Sequence, residues 1–488
     1  MEVSLRSIVV VVCFASISGV AQNASNSAEE LARVSRELQE TRSQLAESRK
    51  QIEELRQGLA ELRSQVQAAH PSASEAQPTG EPTVAAADQD VGFLAAKVAE
   101  LHQDKVESAS KYPVKLSGLV LFNAYRNSGS LDIQDMPSLA FPTFPGSPNG
   151  NIGATLRQTL LGVDATGPRI FGARSSASVA VDFAGGSPTT AYGVTAGLVR
   201  LRTAGVSLDW YKTSLRIGQD APFFSPLSPT SYATLLEPAM SWSGNLWVWT
   251  PAIEVEHRLA LKPDSNLVLQ GGLLDPLTEE YPPFQGRNAT GGEATRIPAF
   301  AGRIAIDRST AAHYPFTIGF GGYGARQRYQ TFSQINSWTV TGDLKIPFGK
   351  QLELSGEWYD GQAVGGLGGG IWSSVVYPEP AAPHSAIHPL RSIGEWVQLK
   401  LKPSLRFEIN GAFGQDENFA RDLRVFADPS TDLGFLPFKR NRTEFVNFIY
   451  QPNSFLLFAV EYRHLLTAPA LGESASGDHL NLAAGVRF

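Results

Sequence analysis

The amino-acid sequence predicts an all-β protein: a sixteen-stranded antiparallel transmembrane β-barrel preceded by an α-helical coiled coil. Three observations carry that reading. Beyond Pro113, apolar and polar residues alternate in runs of about ten residues, the period of a strand with one apolar face. The connections between runs alternate between tight turns and long loops, which puts each kind on its own rim. The closing run, Asp478 to Phe488, sets Leu480, Leu482, Ala484, Val486 and Phe488 on one face and His479, Asn481, Ala483 and Arg487 on the other. It ends on an aromatic suited to an interfacial girdle.

At 488 residues the chain has room for one large barrel or several soluble domains. With 18% charged and 42% hydrophobic residues it is too polar for a bundle of membrane helices and too apolar for disorder. A net charge of -6 offers no basic surface, so nucleic acid is not expected as a partner. Residues 1–21 read as a signal peptide: Arg6 is the positive end, Ile8 to Val20 the apolar stretch, and Gly19 to Ala21 a small-x-small cleavage site. The competing reading, a membrane helix, needs a longer run and a stop-transfer flank. Cys13, the single cysteine, lies in this leader and is not set in a lipoprotein box. The mature chain then has no thiol for catalysis or for a metal, and no cofactor is expected.

Residues 22–68 read as a coiled coil. Leu31, Leu38, Leu45, Ile52, Leu59 and Val66 repeat every seven residues, with Val34, Thr41, Ser48, Leu55 and Leu62 on the second seam position. Arg42, Arg49, Arg56 and Arg63 follow that position and are placed for pairing across helices. A solvated lone helix is the plainer alternative, but isolated helices are marginal without a partner face. Residues 69–112 form a Pro/Ala/Ser/Thr-rich spacer with one short helix around Val91, Leu94, Val98 and Leu101.

The barrel is expected over 113–488. Its strands are expected at 114–127, 152–165, 172–183, 194–210, 214–220, 251–262, 267–274, 297–307, 315–329, 337–346, 351–360, 392–402, 405–415, 441–451, 455–466 and 478–488. Short connections carry turn chemistry, as in Pro263 to Asn266 and Pro452 to Ser454. Long ones fall at 128–151, 221–250, 275–296, 361–391 and 416–440. Closure predicts a polar lumen, an apolar outside and no free edges. Near Gly205 the alternation slips, which predicts a bulge.

The sequence resembles the trimeric sixteen-stranded outer-membrane porins that carry an N-terminal coiled coil, relatives of the phosphate-selective and dicarboxylate-taking porins. The resemblance rests on the terminal Leu482-Ala-Ala-Gly-Val-Arg-Phe488, on Leu198-Val-Arg-Leu-Arg202 and on Leu215-Arg-Ile-Gly-Gln-Asp220. It implies a homotrimer in outer-membrane lipid, passive diffusion of small hydrophilic solutes and a third loop folded inward. Lysines are scattered, at Lys115, Lys345, Lys400 and Lys402, rather than gathered as in a phosphate-selective channel.

Strand parity turns Arg174, Arg200, Arg202 and Arg216 inward, with Arg157 beside them, as a basic wall on adjacent strands. Glu254, Glu256, Asp343, Glu353, Glu357 and Glu408 form an acidic wall opposite. Opposed walls set up a transverse field, and arginine forks suit carboxylates and phosphates. Charge balance along a solvated lumen is the plainer reading of the same residues. Loop 221–250 brings Phe223, Phe224, Tyr232, Trp242, Trp247 and Trp249, and is the candidate constriction; an external loop at a trimer contact is its alternative. Phe488 is the candidate closing-strand signal.

Catalytic patterns are lacking: no Gly-x-Ser-x-Gly, no His-Glu-x-x-His and no P-loop occurs. His384 and His388 sit in a Pro-rich loop, and no metal site is expected. The expected function is an outer-membrane diffusion channel with a weak preference for small anions, its coiled coil in the periplasm. The alternative is a structural or adhesive outer-membrane protein that tethers the envelope by cell-wall contact through that coiled coil.

Overall fold

The computed structural model describes residues 114–143, 145–146, 148–186, 197–278, 289–310, 313–329, 334–376, 387–424 and 437–488. The expected signal peptide, coiled coil and spacer, and His384, lie outside the described residues.

The strands are β1 (Val114–Ser128), β2 (Asn151–Thr155 and Leu160–Ile170), β3 (Ala173–Asp182), β4 (Arg200–Asp209), β5 (Thr213–Asp220), β6 (Thr250–Lys262), β7 (Ser265–Leu274) and β8 (Ala299–Thr310). They continue with β9 (His313–Arg328), β10 (Gln334–Phe348), β11 (Leu352–Gln362), β12 (Arg391–Ser404), β13 (Phe407–Asn418), β14 (Phe438–Tyr450), β15 (Leu456–Pro469) and β16 (Ala475–Arg487). Each pairs antiparallel with its sequence neighbour, and both segments of β2 pair with β1, so seventeen segments make sixteen staves.

Closure is made by β1 and β16, in register from Leu119 opposite Arg487 to Ser128 opposite Asp478. Gly118 and Phe488 extend it with a reciprocal pair of 3.0 Å backbone bonds. A side chain at Gly118 would meet the Phe488 ring at 2.6 Å, so glycine permits this seam. A closed sheet satisfies every ladder position without an edge, which is what hydrocarbon requires.

The alternation places large apolar side chains on the exterior. Ile253, Val255, Phe300, Ile304, Phe320, Val340, Phe448, Val460 and Leu482 are all exposed. In water each would forgo roughly 1.5–3 kcal/mol of burial, so such a band suits lipid. Phe171, Tyr211, Phe348, Phe455 and Phe488 stand exposed at the short-turn rim as an aromatic girdle.

Three details depart from the expected pattern. The second stave is interrupted at 156–159 and runs on to Ile170. The bulge lies at Arg202, the residue left over between the Ala180–Thr203 and Val181–Leu201 partners, rather than at Gly205. Connections 329–333 and 470–474 are short although they share a rim with the long loops.

The lumen also corrects the expectation of a wholly polar interior. Leu119, Leu121, Ile449, Leu457 and Ala459 are buried together on the inner face of β1, β14 and β15. Trp396, Ala412 and Phe445 are buried on the inner face of β12, β13 and β14. What covers them comes from a loop.

Candidate functional site: the loop-lined lumen

Residues 221–249, between β5 and β6, lie inside the barrel and follow its inner wall. Inward polar side chains hold the segment in sequence. Ser225 and the Leu227 N–H donate to Glu357 on β11 at 2.8 and 2.6 Å. The Thr230 N–H donates to Gln398 on β12, and Ser231 to Glu461 on β15, both at 2.6 Å. Asn123 on β1 donates to the Tyr232 carbonyl at 2.8 Å. Gln158, in the break of β2, donates to the Ala233 carbonyl at 2.8 Å and accepts the Leu235 N–H at 2.7 Å. Each of these bonds contributes about 0.5–1.5 kcal/mol net. The path thus runs from β11 through β15 to β1 and β2, and then returns across the lumen. On the return, Gly244 adopts φ 95° against β12, where a Cβ would come within 2.2 Å of the Glu395 carbonyl. No other residue type fits there without moving the loop.

The loop's apolar residues cover the apolar inner wall. Tyr232 and Leu235 pack on the β1–β14–β15 cluster, and Ala239, Met240 and Leu227 on Trp396 and Phe445. The aromatic residues expected to wall the constriction mostly form its packing. Phe224 is fully buried and stacks on Tyr323 of β9 at 5.5 Å. Trp242, Trp247 and Trp249 make successive edge contacts at 5.7 and 5.4 Å. Phe223 reaches the open part of the lumen, and Trp249 lies beneath Arg200 and Arg202 at 5.2 and 4.5 Å.

The charged residues resolve into local pairs. Arg157 binds Asp135 at 2.6 Å. Arg200 and Arg202 share Asp182, at 2.7 and 3.9 Å, and donate to the Leu236 and Leu235 carbonyls of the loop. On the other side Asp343 binds Arg303 at 2.6 Å, Glu353 lies 3.7 Å from Lys345, and Glu408 lies 3.3 and 3.8 Å from Lys400 and Lys402. Glu256 binds Arg258 at 2.7 Å. Each wall is therefore largely compensated by its own counter-ions, a correction to the picture of two opposed, singly charged walls. Arg174 faces Asp209 in register, and Arg216 faces Glu254. Neither arginine makes an ion pair with a described residue, and both are exposed.

Beside Arg216 the lumen stays open. A cavity of about 390 Å³ lies against β3 to β7, closed on one side by Phe223 and Pro226 of the loop. Ser176, Thr203, Arg216, Gln219, Glu254 and Gln270 are among its lining. Parity singles out the arginines but not Asp182, Gln158, Glu461, Arg303 or Gln270, because each reads as one more polar residue on an inward face.

Two loop carboxyls are perturbed. Burial, reinforced by the Asp132 charge, pushes the Glu237 carboxyl up to about 7. Burial raises Asp132, in the loop after β1, to about 6 against backbone N–H bonds that favour its charge. One Glu237 oxygen is closed off from solvent without a hydrogen-bond partner among the described residues.

No family model and no curated protein matches the sequence. Solved structures do match the fold. The outer membrane channel DcaP of Acinetobacter baumannii aligns at 16% identity with a TM-score of 0.59, over 77% of this chain and 97% of that one. An anion-selective porin from Comamonas acidovorans aligns at 11% identity and TM-score 0.46, over 77% and 100%. Pseudomonas putida OprB aligns at 10% and 0.47, over 80% and 97%. The chain is a closed sixteen-stranded antiparallel β-barrel, and it shares that fold with the DcaP channel.

Proposed function

We propose that the protein is an outer-membrane porin that passes small hydrophilic solutes by diffusion, as a homotrimer. One observation carries the reading: a closed barrel with an apolar exterior keeps a polar, water-accessible space beside a loop folded into its lumen. Sixteen staves are wide enough for an aqueous path, and an inward loop narrows it to solute size.

A weak preference for anions belongs to the same proposal. Arg174 and Arg216 are exposed and make no ion pair with a described residue, whereas Glu254 is buried and held by Gln270 at 2.8 Å. Arg157, Arg200 and Arg202 act instead as supports for the loops they bind. The test is ion conductance and zero-current potential across a salt gradient in planar bilayers. Wild type should favour anions weakly, and Arg174→Ala/Arg216→Ala should lose the preference. Arg200→Ala/Arg202→Ala should chiefly enlarge conductance by freeing the loop. A cation-preferring wild type overturns the anion assignment, and a protein that conducts no ions overturns the channel.

A further inference from the structure

Arg216 and Glu254 stand directly opposite each other on β5 and β6. Opposite charges so placed ordinarily close on one another. Here the Gln270 amide on β7 engages Glu254 at 2.8 Å and Glu256 at 3.2 Å, and Glu256 is in turn held by Arg258. Arg216 makes no hydrogen bond or ion pair with a described residue, so its full fork of donors faces the cavity. Asp220, exposed at the end of β5, adds a second carboxylate to the same lining; one oxygen accepts the Ala221 N–H at 2.7 Å. Guanidinium and carboxylate thus share one niche of about 390 Å³ with spare bonding capacity of both signs.

We infer that this niche selects small zwitterions, solutes with a carboxylate and an ammonium group a few bonds apart. The inference rests on the channel reading and names the solute class of the same lumen. The solute carboxylate takes the two-pronged geometry of Arg216. Its ammonium group takes the free lone pairs of Glu254 and Asp220, and the hydroxyls of Ser176 and Thr203 replace lost water. A simple anion gains Arg216 but faces two carboxylates, and a simple cation gains the carboxylates but faces Arg216. A neutral solute of the same size gains hydroxyl contacts alone.

Glycine and its uncharged isomer glycolamide separate these cases, because they differ in charge and hardly in size. Initial uptake of each at low concentration is measured in liposomes containing the full-length protein, with ion conductance recorded on the same preparation. The expected result is glycine entering about fivefold faster than glycolamide, the worth of one water-exposed charge contact. The ratio should fall toward one in Arg216→Gln and in Glu254→Gln. Glutamine at 254 still accepts from Gln270, and heat-modifiable migration on gels verifies folding of both variants. Equal uptake through an ion-conducting wild type overturns the zwitterion niche and leaves the channel standing. A ratio that survives both substitutions overturns the assignment to these residues. A wild type that passes neither ions nor solutes overturns both readings.

Discussion

At the scale of single residues, the inner wall is governed by where buried polar groups find partners. Glu357 is 5% exposed and accepts from both Ser225 and the Leu227 N–H. Replacing it by alanine strands those two donors, at about 1–3 kcal/mol for each that stays buried. Glu357→Ala should therefore release the start of the inward loop and raise single-channel conductance, while the barrel keeps its heat-modifiable migration. Unchanged conductance would show that the loop is held without this carboxylate. That Glu357 faces inward was legible from parity. Its service to the loop was not, because parity names a face and leaves the partner unnamed.

At the scale of elements, the inward loop behaves as a second layer, and two of the carboxyls around it respond to pH. Glu237 at about 7 and Asp132 at about 6 both sit above the ordinary carboxylate values of 4.5 and 3.8. The folded state holds these protons more tightly than the unfolded chain does. Their contribution is fully present below about pH 4 and is lost as pH rises through about 6 to 7. Loop packing should thus be tighter near pH 5 than near pH 8, as read by hydrogen exchange of the Thr234 to Leu236 amides. Glu237→Gln should flatten the upper part of that profile. Exchange that slows with rising pH, after correction for intrinsic rates, would reverse the sign and refute the account. The aromatic richness of 221–250 marked the loop in the sequence. Its depth in the lumen had a second, unread signal: Leu456, Phe458 and Val460 alternate with Leu457 and Ala459, so β15 is apolar on both faces. A strand apolar on both faces needs a cover on its inner side.

At the scale of the whole molecule, closure between β1 and β16 involves described residues from Gly118 to Phe488 alone. The barrel should therefore fold and insert after deletion of residues 22–110. The trimer is expected to depend on that segment's heptads: full-length protein in mild detergent should have the mass of three chains, and the deletion variant should dissociate more readily. A full-length protein that stays monomeric would remove the trimer from the proposal, and an unfolded deletion variant would show that the barrel needs the missing segment.

What the sequence determined by itself is what depends on period and punctuation. Sixteen strands, their inward and outward faces and the two kinds of rim all follow from alternation and turn residues, which act over a few neighbours. The tertiary structure alone decided which inward charges remain free. Arg200, Arg202 and Arg216 look alike along their strands, yet Asp182 and the loop carbonyls occupy the first two. Arg216 is left facing the cavity because Gln270, more than fifty residues along the chain, takes up the carboxylate opposite it. Charge pairing is settled by distances of a few ångströms between strands, and no local pattern along the chain encodes those distances.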